Sequence, residues 1–248
     1  MKRKALLIGN SDGLSGVTSD IQKFTKFLKS DLGGKWYDDE ITVQMNPSKL
    51  LLATTISRMK SEKYDFSFVV FSGHGEFIKN TVLTINEKGE SINELDLYNI
   101  TKRQISIFDC CRAISRISDS LLEKSMRAFA SESLHYDNIR QRYATRIMQA
   151  IEQQVRLYAC AKGETALDTD EDVLSYTQNL LKAAVNISSS EEFKLIEKVH
   201  NEAKEETSNK AWQLKRHTQN PTADLPKCSI SQQLIMSINP KYNQYRSW

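Results

Sequence analysis

Hydrophobic positions in the first half of the chain fall into short unbroken runs, separated by stretches with a helical period. "KALLIGN" (4–10) is an apolar run of strand length. From Asp20 to Leu28, the residues Ile21, Phe24, Phe27 and Leu28 share one helical face. "EITVQM" (40–45) predicts a second strand, and Pro47-Ser48 predicts a cap for a helix carrying Leu52, Ile56 and Met59 at helical spacing. "FSFVVF" (66–71) is continuous, as a strand covered on both faces should be. After a loop and a short turn, "QISIFD" (104–109) predicts a fourth strand. This β-α-β-α order argues for an α/β fold, a mostly parallel sheet with helices on both faces.

The middle of the chain has a different texture. Residues 112–154 show no strand pattern and carry Arg112, Arg116, Arg127, Arg140, Arg142 and Arg146. Two readings fit this insert. It is a mobile polar linker, or it holds packed helices at Ser118–Ala130 (apolar face Leu121, Leu122, Met126, Phe129) and Ile139–Ile151 (apolar face Ile139, Tyr143, Ile147, Ile151). Strand pattern resumes in "VRLYACA" (155–161). A helix is predicted over 172–185, and another from an N-cap at Ser190 to about Glu206. The tail "QNPTADLPKCSISQQLIMSI" reads as a proline-bearing loop leading to a last short apolar segment. No internal repeat or low-complexity linker divides the chain, so 1–248 is expected to be a single domain.

Composition narrows the function classes. Of 248 residues, 40% are hydrophobic and 26% charged, enough for a sizeable core and unlike a disordered chain. With 34 basic and 31 acidic residues the net charge is only +3, which argues against nucleic acid as a partner. The basic start "MKRK" precedes an apolar part, Ala5 to Ile8, too short for a signal peptide or a membrane span. No membrane partner is expected. Four cysteines (110, 111, 160, 228) include no C-x-x-C pair, so free thiols in a reducing cytoplasm are the expectation. The four histidines (74, 135, 200, 217) lack metal-site spacing. No metal or cofactor is expected; His135, His200 and His217 read as surface residues, Cys160 and Cys228 as structural.

Two predicted strand ends hold chemistry. "FVVF" runs into Ser72-Gly73-His74-Gly75, and "ISIF" runs into Asp109-Cys110-Cys111-Arg112. In a parallel sheet both lie at the carboxyl edge, where such folds place their sites. An imidazole and a thiol 37 positions apart (111 − 74) can therefore meet, as a nucleophile and its base must. Flanking glycines let backbone approach a substrate, and the Gly75 N–H could face a developing oxyanion.

"VVFSGHGE" and "IFDCCRA" resemble the histidine and cysteine motifs of the caspase-like cysteine peptidases, the caspases, metacaspases and their prokaryotic relatives. "LLIGNSDGLSGVTSDI", "YACAKGETALD…DVLSYTQNLLKAA" and "TQNPT" are similar to the family's first strand, the start of its smaller subunit and its late Gln-x-Pro element. The motif register makes Cys111 the nucleophile and Cys110 the variable residue. Ala113 and Ile114 stand where Ser-Gly is usual. The resemblance implies a three-layer sandwich, with a large-subunit-like part (1–111), a helical insert or linker (112–154) and a small-subunit-like part (155–248). It implies peptide-bond hydrolysis, with Cys111 and His74 catalytic and the N–H groups of Gly75 and Cys111 as oxyanion hole. The partner is a protein or peptide substrate, lying extended along the strand edge near residues 157–162. Asp109 and Asp20 match the acids of the metacaspase substrate pocket, which implies cleavage after Arg or Lys rather than Asp. The reading of Asp20 from residues alone is a helix N-cap. Such an enzyme could cut its own insert near Arg140, Arg142 or Arg146. Bacterial members of this group are often effectors of antiviral defence or regulated cell death, switched on by a partner or a small signal molecule. The clusters Asp38-Asp39-Glu40 and Asp168/Asp170-Glu171-Asp172 lack EF-hand spacing and read as solvated loops. Two other classes stay open: a catalytically silent binding or scaffold module, and another thiol hydrolase on a similar sheet.

Overall fold

The computed structural model describes residues 1–114, 138–168 and 173–242. In chain order the elements are β1 (Arg3–Gly9), α1 (Gly16–Lys29), β2 (Ile41–Met45), α2 (Lys49–Ser61), β3 (Phe66–Ser72), β4 (Gly75–Phe77), β5 (Thr81–Thr84), β6 (Ser91–Asn93) and β7 (Arg103–Asp109). They continue with α3 (Asn138–Gln149), β8 (Gln153–Tyr158), α4 (Tyr176–Val185), β9 (Phe193–Leu195), α5 (Ile196–Lys215), β10 (Thr222–Asp224) and β11 (Ile235–Ile238).

A six-stranded sheet in the order β10-β8-β7-β3-β1-β2 forms the middle layer. Every pair in it is parallel except β10 with β8. Strand alternation splits the core in two. Ala5 and Leu7 of β1, Phe66, Phe68 and Val70 of β3, and Ile105 and Ile107 of β7 face the layer built from α1, α3, α4 and α5. Leu6, Ile8, Val69, Phe71 and Phe108 face α2 and the antiparallel sheet β4-β5-β6. The expected α/β sandwich, with helices on both faces of a mostly parallel sheet, is what the chain forms.

Local signals act largely as read. Ser48 caps α2, its side chain accepting from the Leu51 N–H at 3.3 Å. The helix expected from Ser190 starts later, because Phe193–Leu195 is drawn into β9, which pairs antiparallel with β11. Tertiary pairing here overrides a local cap. β8 begins and ends earlier than 155–161, since it pairs with β7 from Arg103↔Gln153 to Phe108↔Tyr158. His200 is buried and lies 2.7 Å from the Tyr176 hydroxyl, so it is a core residue and not a surface one.

The insert resolves partly. Of its two expected helices, Ser118–Ala130 lies outside the described residues, while Ile139–Ile151 corresponds to α3. Tyr143 and Ile147 are fully buried, Ile139 packs against the same core, and Ile151 stays exposed. Burying Ile147 alone stabilises by about 1.5–3 kcal/mol. Every arginine of this helix is engaged. Arg140 pairs with Glu40 and donates to the Lys35 carbonyl, Arg142 binds Glu192 at 2.8 Å, and Arg146 donates to the Ile230 carbonyl at 3.1 Å. Glu40 also binds Arg3, whose guanidinium burial pushes down to about 10 despite that carboxylate, so Glu40 is not part of a solvated loop. The linker reading fails at these positions, because a folded helix does not enter a protease cleft as an extended strand. Fragment mapping by mass spectrometry after prolonged incubation of active protein should find no cut after Arg140, Arg142 or Arg146.

Candidate active site

β3 and β7 run side by side in register up to the pair Ser72↔Asp109. His74 and Cys111 each lie two residues beyond that pair (74 − 72; 111 − 109), on strands about 4.8 Å apart. The Gly73 N–H donates to the Asp109 carbonyl at 3.0 Å and joins the two turns. Gly75 is glycine for lack of room: a Cβ there would sit 2.6 Å from Cys110 Sγ and 2.9 Å from the Cys111 carbonyl. Ala113 and Ile114, which depart from the usual Ser-Gly, extend the contact. The Phe77 N–H donates to the Ala113 carbonyl at 2.9 Å, and Phe77 forms a bridge with Ile114.

The His74 ring is fixed by a group that local patterning does not reveal. Its Nε2 lies 2.5 Å from the Asp12 carbonyl, in the loop after β1. A carbonyl only accepts, so Nε2 carries a hydrogen and donates it to Asp12. Among the described residues no hydrogen bond joins His74 to Cys111. The thiol points instead to the Ala166 carbonyl at 3.7 Å. Burial pushes the Cys111 thiol up, against that one contact, so it rests as the thiol. Cys110 is buried and inert, its pKa driven far up by burial.

Beside the thiol, carboxylates converge. Asp20 lies within α1, past its Ser15 N-cap, and is buried. It caps nothing. It accepts from Ser72 Oγ (3.0 Å), Ser175 Oγ (2.8 Å) and Gln178 Nε2 (2.8 Å). Burial nonetheless raises its pKa. Asp109, also buried, accepts from the Thr177 N–H at 2.7 Å. Burial and then the Asp20 charge push its carboxyl up to about 7. Asp168 adds like charge to both and accepts from the Gly16 N–H at 3.0 Å. From the sequence alone Asp168 belongs to a solvated acidic loop; its nearness to Asp20 comes from folding. Among the described residues no lysine or arginine forms an ion pair with any of the three. Nor does any group of three or more His, Cys, Asp or Glu side chains among them stand ready to hold a metal.

The strand edge near 157–162 does not serve as expected. Arg156, Leu157 and Tyr158 are paired with β10. The Ala159 carbonyl accepts from Gln219, and the Ala161 N–H donates to Glu164. The backbone beside Cys111 is instead that of Ala166.

The profile of the caspase domain, the C14 peptidase family, matches residues 2–228. The chain belongs to the caspase domain family. A caspase-1 from Spodoptera frugiperda has the same fold, with a TM-score of 0.56 over 90% of this chain and 85% of that one, at 12% identity. A comparison with curated protein sequences gives no match. The caspase domain thus accounts for the order of strands that brings His74 and Cys111 to one edge. Among the described residues no helix is long and apolar enough to cross a membrane.

Proposed function

We propose that this caspase domain is a cysteine endopeptidase that cleaves after Arg or Lys. The observation that carries the reading is that Cys111 and the His74 imidazole follow the ends of adjacent, in-register strands, with the ring's Nε2 held by the Asp12 carbonyl. With its pKa raised, the thiol needs a base. His74 Nδ1 takes the proton as Sγ attacks the scissile carbonyl. The N–H groups of Gly75 and Cys111 hold the oxyanion. The imidazolium then protonates the leaving amine, and water, deprotonated by His74, hydrolyses the thioester. The substrate lies extended against Ala166 to Asp168, and its basic side chain reaches Asp20, Asp109 and Asp168. A cation there relieves three like charges at once, which an acidic side chain would worsen.

The setting inferred from family kinship is cytoplasmic, in antiviral defence or regulated cell death, under an activating partner or small signal molecule. The four free cysteines suit a reducing compartment. Peptides with Arg or Lys before the scissile bond should be cut at least tenfold faster than the Asp counterpart, read as kcat/KM with fluorogenic substrates. Faster cleavage after Asp rejects the acidic-pocket assignment. A second reading, a silent binding module, draws on the missing His74–Cys111 hydrogen bond. Labelling of Cys111 by an arginine-directed chloromethylketone rejects it; no labelling favours it.

A further inference from the structure

We propose that Gln219 is a positioning residue that sets which atoms of the 164–168 segment face the cleft; the functional part of this rests on the peptidase reading above. Gln219 follows α5 and is 2% exposed. Both ends of its amide are used. Nε2 donates to the Ala159 carbonyl at 3.0 Å, and Oε1 accepts from the Leu167 N–H at 3.1 Å. One side chain therefore spans from the end of β8 to the segment beside the thiol. Its own carbonyl accepts from Ser208 Oγ at 2.8 Å, which anchors the strut to α5.

The consequence follows from the planarity of one peptide group. The Ala166 carbonyl and the Leu167 N–H belong to the same trans peptide and point in opposite directions. Drawing the Leu167 N–H to Gln219 therefore turns the Ala166 carbonyl the other way. Ala166 then presents its carbonyl to Cys111 Sγ at 3.7 Å, and Asp168 joins Asp20 and Asp109. The start of the segment is held elsewhere, by the Arg112 N–H on the Glu164 carbonyl (2.9 Å) and the Asn220 N–H on the Glu164 carboxylate (2.7 Å). Only Gln219 fixes Leu167 by a side chain among the described residues. The chemistry requires an amide. Glutamate loses the donor to Ala159, methionine loses both bonds at similar length, and asparagine is one methylene short.

The test compares wild type with Gln219→Met and Gln219→Glu, normalised to folded protein. The readouts are steady-state kinetics on an arginyl peptide, alkylation of Cys111 by iodoacetamide, and hydrogen exchange of the 159–168 backbone. Both variants should raise KM tenfold or more with a smaller change in kcat. Alkylation, which needs no substrate subsite, should change less than twofold, and the Leu167 amide should exchange at least tenfold faster. Wild-type KM with unchanged exchange overturns the proposal, and so does a loss in which alkylation falls in step with turnover. If wild type cleaves no basic peptide, the peptidase reading fails by itself, and the exchange data still decide whether Gln219 fixes the segment. If one variant does not fold, the other carries the same readouts.

Discussion

Cys111→Ala is expected to abolish peptide hydrolysis, while Cys110→Ala keeps most of it. Removing a covalent nucleophile leaves only binding and oxyanion stabilisation, a loss on the order of 10⁴-fold or more in kcat. The neighbouring thiols differ in surroundings. Cys111 is partly exposed at the sheet edge beside His74, with Ala166 across from it. Cys110 is buried in the core with Leu6, Ile8 and Phe108, where it behaves as a small hydrophobe. Cys110→Ala removes one sulfur from that packing and should cost about 1 kcal/mol of stability. The measurement is turnover of an arginyl fluorogenic peptide by both variants, with folding checked by thermal denaturation. An active Cys111 variant beside a dead Cys110 variant refutes the assignment.

Asp109→Asn is expected to lose activity and gain stability together. On the functional side, one of the converging charges disappears from a buried site. The loss in kcat/KM for arginyl substrates should be about 2–5 kcal/mol, with the preference for basic residues reduced. On the stability side, Asp109 titrates near 3.8 when unfolded and at about 7 when folded. Between those values the native state holds a proton that the unfolded state has released. Wild-type stability therefore falls as pH rises through this window, and the cost is complete above about pH 7. Asparagine carries no such cost and still offers an oxygen to the Thr177 N–H. The variant should be more stable than wild type by a few kcal/mol above neutrality, since each tenfold weakening of proton affinity between folded and unfolded chain is worth roughly 1.4 kcal/mol. The gain should vanish by about pH 4. Denaturant titrations at several pH values give the answer. A variant less stable than wild type at pH 8 contradicts the buried like-charge picture.

The sheet was legible because its strands are local apolar runs. Residues 66–71 and 104–109 announce themselves, and so do the polar residues that end them. The substrate-pocket role given to Asp20 and Asp109 rests on family likeness, since spacing alone made Asp20 a cap. What stayed hidden is what depends on distant chain. The backbone carbonyl of Asp12 has no side-chain signature, yet it orients His74. Ser72, Ser175 and Gln178 meet at Asp20 from β3 and α4. The short antiparallel strands β4, β5, β6, β9 and β10 have too few residues for an alternation to stand out from loop sequence. Gln219 was visible as part of "TQNPT", but its task is not.

The division into 1–111, 112–154 and 155–248 describes the chain and not the particle. β8 pairs with β7 along its length, α1 packs on α4, and Arg140 of α3 grips Glu40 ahead of β2. A backbone break between Ile114 and Asn138 would sever none of these contacts. The fragments would remain one non-covalent complex with a single shared core, and the change would be confined to connectivity. In such a nicked form the sheet that carries Cys111 would stay whole.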